Sequence, residues 1–167
     1  MQHERRKHFL PDGAEYDAKL SEAPSRQSQN QQAMNDQDFS RIIDQAFIPF
    51  LQELGFVAQP KAISGRAYMV EFIGKSWTLS VSFEPGDNYF SIVLLNNKER
   101  GLAAMDDRQK SPRLSDLNAR YMGQITLAER EVNEAFFTSI VVTDSFERQL
   151  LKVAKDLRLV LPKYLAV

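Results

Sequence analysis

The sequence predicts an α+β domain of two layers, in which a three- or four-stranded antiparallel meander is covered on one face by helices, behind a disordered N-terminal tail. Three features carry this reading. Apolar and polar residues alternate with period two between residues 66 and 95. Apolar stripes of helical period flank that region, one near 36–54 and one near 144–164. The head, 1–33, has few apolar side chains and contains the polar run Gln27-Ser28-Gln29-Asn30-Gln31-Gln32.

The head comes first. A segment so poor in apolar surface cannot offset the chain entropy lost on folding. The single domain is therefore placed at 34–167, with Met34 as a candidate start. A chain beginning at Met34 is expected to melt within about 5 °C of the full chain, which for a domain of this size corresponds to about 1 kcal/mol. A larger drop in a thermal melt would show that the head contributes to folding. A sharper reading of the head is a partner-binding arm through Arg5-Arg6-Lys7.

The first helix is expected from Asp36 to Leu54, capped by Asp36 or Asn35. Phe39, Ile43, Ala46, Phe47, Phe50, Leu51 and Leu54 form its stripe. Gly55 stands where a left-handed C-cap belongs. Pro49 interrupts the pattern, because it removes a donor and crowds the preceding turn, so a kink near Ala46 or two short helices are expected.

Strands are expected at Arg66–Ile73, Trp77–Glu84 and Tyr89–Leu95, preceded by a short strand within Val57–Ile63. Gly74-Lys75-Ser76 and Pro85-Gly86-Asp87-Asn88 make the links. Tyr68, Val70, Phe72, Trp77, Leu79, Val81, Phe83, Phe90, Ile92 and Leu94 share the apolar face, with Trp77 read as core. The other face carries Met69, Glu71, Thr78, Ser80, Ser82, Ser91 and Val93. One buried and one mostly polar face is what an antiparallel sheet packed from one side shows.

Residues 96–113 form a charged connection longer than most. A short helix follows at Leu114–Tyr121. Thr126 and Glu129 read as a capping box opening a helix to about Ile140, with Val132, Ala135 and Phe136 as its stripe. The last helix starts near Asp144 and buries Phe146, Leu150, Val153, Leu157, Leu161 and Tyr164.

Composition limits the chemistry. The chain carries 21 basic and 22 acidic side chains and a net charge of −1, without the basic excess of a nucleic-acid binder. It has no cysteine, which excludes disulfides, thiolate nucleophiles and cysteine-held metal. The two histidines, His3 and His8, lie in the head. A Ser–His pair therefore cannot form within the domain, and its common neutral-pH proton shuttle is missing. No glycine-rich phosphate loop or dinucleotide fingerprint is present, and no cofactor or metal is expected. No apolar run reaches the ~20 residues of a membrane helix, and residues 1–10 do not read as a secretory signal. A cytoplasmic home and no membrane partner are expected.

Three functional readings follow. The leading one is a non-catalytic module that binds another protein through the polar sheet face and the long loop. It rests on Met69, Glu71, Ser80, Ser82, Tyr89 and Ser91 from the sheet and Asp106, Asp107 and Arg108 from the loop. The second is a carboxylate-dependent hydrolase or metal enzyme using Glu84, Asp87, Asp106 and Asp107, since a hard cation wants several oxygen ligands. A simpler account of Glu84 and Asp87 is turn chemistry. The third is a homodimer or larger self-assembly joined through the sheet. Arg148, Lys152 and Lys155 form a basic stripe on the last helix, read as a solvated face or a grip for an acidic surface.

The runs Phe50-Leu-Gln-Glu-Leu-Gly-Phe56, Tyr68-Met-Val-Glu-Phe72 and Leu79-Ser-Val-Ser-Phe-Glu-Pro-Gly-Asp-Asn-Tyr-Phe-Ser-Ile92 resemble small bacterial α+β proteins, among them immunity proteins of polymorphic and contact-dependent toxin systems. The resemblance spans residues 39–95 and brings no active-site residues. It implies a protein inhibitor whose partner is a toxin.

Overall fold

In the computed structural model, residues 36–64, 67–99 and 107–166 are described, and the head lies outside them. Helix α1 covers 36–53. Its middle, Ile43–Phe47, is a π-turn, in which the Ile48 N–H reaches back to the Ile43 carbonyl. The wider turn lets the chain continue into Ile48–Glu53 despite Pro49, whose ring would crowd an ordinary α-turn. The proline effect is thus a bulge within one helix. Asp36 is already helical, and its Oδ1 makes no hydrogen bond among the described residues, so it is not the cap, and Asn35 lies outside the described residues. Gly55 closes α1 at φ 82°, with its N–H on the Gln52 carbonyl (3.0 Å) and the Phe56 N–H on the Leu51 carbonyl (2.9 Å).

Five strands form one antiparallel sheet among the described residues. They are β1 (Val57–Ala58), β2 (Ala62–Ser64), β3 (Ala67–Ile73), β4 (Trp77–Glu84) and β5 (Tyr89–Asn96). The expected strand at 57–63 is split in two around Pro60, and both pieces pair with the same edge of β3. β3, β4 and β5 form the meander, with Val70 opposite Val81 and Val81 opposite Ile92. At the β3–β4 link, a Cβ on Gly74 would stand 2.9 Å from Phe56 Cε1, so the close approach requires glycine.

After the loop, Pro112 and Arg113 return along the outer edge of β5. The Leu94 N–H bonds the Pro112 carbonyl at 3.0 Å, and Val93 bridges Arg113. Helix α2 (Leu114–Tyr121) and a 3-10 turn (Met122–Gln124) follow. Helix α3 (Leu127–Phe137) opens on the expected capping box, with Thr126 N–H to Glu129 Oε2 at 2.7 Å and Glu129 N–H to Thr126 Oγ1 at 3.2 Å. Helix α4 (Ser145–Leu165) is capped by Asp144, whose Oδ1 accepts the Glu147 N–H at 2.8 Å.

The core joins the helices to one sheet face. Phe39 and Tyr68 meet at 5.6 Å between ring centroids, Phe83 and Phe146 at 4.7 Å, and Trp77 and Tyr164 at 5.3 Å. Tyr68, Val70, Phe72, Leu79, Val81, Phe83, Ile92 and Leu94 are all buried, as the alternation required.

Two expectations are corrected. α3 ends at Phe137 rather than Ile140, and its buried residues are Asn133 and Phe137, whereas Val132 is 63% exposed. The cause is polar. Asn133 Nδ2 donates to the Lys155 carbonyl (3.1 Å), and its Oδ1 accepts from Arg158 (3.1 Å). With Phe137 they place the buried side of α3 the ~100° that separates neighbouring residues away from the expected stripe. Thr78, read as part of the polar face, is buried, because Asn97 folds over it and accepts its hydroxyl at 2.7 Å.

Candidate protein-binding face

The pairing register assembles the open face in rows. Met69, Ser82 and Ser91 form one row, with Ala62 beside Met69. Glu71, Ser80 and Val93 form the next, and Val57, Ile73 and Leu95 lie along a third, in which Thr78 is covered by Asn97. Glu84 pairs with Tyr89 at the hairpin end. Of the β3, β4 and β5 residues with this parity, only Glu71 and Glu84 are charged. Met69 is 39% and Tyr89 50% exposed, while Ser80, Ser82, Ser91, Val93 and Leu95 are half-buried by their neighbours in the sheet.

The six sheet residues expected at a binding surface therefore share one face. The loop residues do not join them. Asp106 lies outside the described residues. Asp107 is committed to its own turn, its Oδ1 accepting the Gln109 N–H at 2.9 Å. Arg108 turns to Asp116 on α2 at 3.4 Å. Ile73, Leu95 and Val57 belong to the face but were missed. Carrying the alternation two residues further along β3 and β5 finds Ile73 and Leu95, whereas Val57 needs the β1–β3 pairing.

Of the four carboxylates of the alternative reading, Asp106 lies outside the described residues. Glu84 and Asp87 share a turn in which the Asp87 N–H meets the Glu84 carbonyl at 3.3 Å. Among the described residues no three acidic or histidine side chains gather as metal ligands. The basic stripe is partly neutralised, since Lys155 pairs with Glu134 on α3. Asp156 lies below it, and burial pushes its carboxyl up despite Lys152, a hydrogen bond from Asn118 and Arg130. No described helix is long and apolar enough to cross a membrane. No protein family, no curated protein and no solved structure matches the chain.

Proposed function

We propose that the chain is a non-catalytic protein-binding module that presents the open face of its sheet to another protein. One observation carries this reading: a solvent-facing sheet surface with exposed Met69 and Tyr89, an apolar row at Val57, Ile73 and Leu95, and only two charges on its three long strands. Depletion of charge together with methionine and aromatic anchors is the composition of an interface centre. The fitting partner has an apolar patch with a basic group opposite Glu71, while Glu84 stays with its turn. A toxin held by an immunity-type inhibitor is one such partner, and it is the class that the resemblance of residues 39–95 implies.

The test uses paired variants against a partner captured from native host extract. Met69→Ala with Tyr89→Ala is expected to weaken binding by ~1–3 kcal/mol at unchanged melting temperature. Glu84→Gln with Asp87→Asn is expected to leave binding almost unchanged. The opposite pattern in folded proteins would overturn the proposal and favour acid–base or metal chemistry at the turn. Concentration-dependent sedimentation of the pure chain, abolished by Met69→Ala with Tyr89→Ala, would instead assign the face to self-association.

A further inference from the structure

We infer that the groove between α3 and the C-terminal half of α4 binds a small amphipathic anion, an apolar body carrying a single negative charge. This site is independent of the sheet face. The groove has a volume of about 560 Å³, within the ordinary range for small-molecule sites. Its walls are Ala128 and Val132 on α3 and Leu159 and Pro162 on α4.

The charge balance defines the ligand. Lys163 in the groove is neutralised by Glu129 at 2.6 Å. Arg158 has no carboxylate within ion-pair distance among the described residues. It donates to Asn133 Oδ1 at 3.1 Å and lies 4.1 Å from the centroid of the Phe136 ring. These contacts hold the guanidinium in place, Glu53 acts on its charge only from beyond ion-pair distance, and its five donors exceed what Asn133 takes. Tyr121, only 5% exposed, completes the wall, and its hydroxyl is a buried polar group with no hydrogen-bond partner among the described residues. Such groups are rare in folded proteins and each calls for an explanation.

The orientation of α3 points the same way. Asn133 takes the buried position, and Val132, one residue earlier, lines the groove at 63% exposure. An apolar body lying against Val132 and Leu159 recovers burial that the orientation of α3 gives up. Arg158, which bonds the buried Asn133, is also the group that would hold the anion.

The experiment is titration calorimetry of the full chain with octanoate, the neutral isostere 1-octanol, and acetate. Octanoate is expected to bind at one site at least about tenfold more tightly than 1-octanol, with acetate silent. Val132→Trp fills the groove from an exposed position and is expected to abolish octanoate binding. Arg158→Gln is expected to weaken octanoate about tenfold or more and to leave 1-octanol unchanged. If Arg158→Gln fails to fold, the comparison of octanoate with 1-octanol and the Val132→Trp variant decide. The inference is overturned by no octanoate binding up to ~1 mM, by equal affinity for octanoate and 1-octanol, or by octanoate binding that survives Val132→Trp.

Discussion

Val81→Asp is expected to cost the domain about 4 kcal/mol or more, a large share of the stability of a typical single domain. Val81 is at 0% exposure in the central strand, between Val70 on β3 and Ile92 on β5. Its face is the one covered by the helices, and both its cross-strand partners are apolar. A carboxylate there must either stay ionised without water or take up a proton, and both oppose folding near neutral pH. The adjacent position is the control. Ser82 pairs with Met69 and Ser91 on the open face and is half-buried. Ser82→Asp is therefore expected to change stability by no more than about 1 kcal/mol. Urea unfolding of the two variants measures the contrast. Equal stability of Val81→Asp and the parent chain would mean that the strand faces are inverted, as a one-residue slip in register would make them.

The second large effect is expected at Glu147, which is fully buried in the first turn of α4. Its carboxylate accepts the Arg41 guanidinium from α1, the Thr143 N–H at 2.6 Å and the Thr143 hydroxyl at 2.9 Å. Arg41 also donates to the Val141 carbonyl at 3.1 Å, so one cluster ties α1 to the start of α4. Removing the cation alone strands a buried charge. Arg41→Met is expected to cost about 3 kcal/mol, the low end for buried pairs, because the arginine side chain is 33% exposed. Arg41→Met with Glu147→Met is expected to recover much of that loss, since no charge is left uncompensated.

The same cluster predicts a pH dependence. Burial opposes ionisation of Glu147, but the Thr143 N–H, Arg41 and the Thr143 hydroxyl outweigh it and hold the carboxyl below its ordinary value of 4.5. A carboxyl with a lowered folded-state pKa binds fewer protons folded than unfolded. Its stabilisation is fully present above pH 4.5 and is lost as pH falls through the folded value. Asp38 acts in the opposite sense, because burial and the charges of Glu147 and Asp144 raise its pKa. Its penalty is relieved on acidification and offsets part of the loss. The stability gap between the parent chain and Glu147→Gln is expected to narrow below pH 4.5 in denaturant titrations. A gap that stays constant from neutral to acid pH would show that the pair contributes shape and not charge.

The sequence by itself determined what depends on near neighbours. Strand faces follow from period-two alternation, because successive side chains leave a strand on opposite sides, and Val81, Phe83 and Ile92 are buried for that reason. Gly55 and the Thr126–Glu129 box end and begin helices through bonds reaching five residues or fewer, so their signals are local. The face of α3 was decided elsewhere. Asn133 is buried because it bonds Lys155 and Arg158, 22 and 25 residues away, and counting apolar positions assigns a polar residue to solvent. Thr78 was withdrawn from the open face by Asn97, 19 residues on, and Val57 joined it only through the pairing of β1 with β3. The sheet surface was thus largely legible, since its residues share one parity. The groove with Arg158 was not, because its walls come from two helices and the buried side of α3 includes Asn133, whose long-range hydrogen bonds leave no trace in the hydrophobic period.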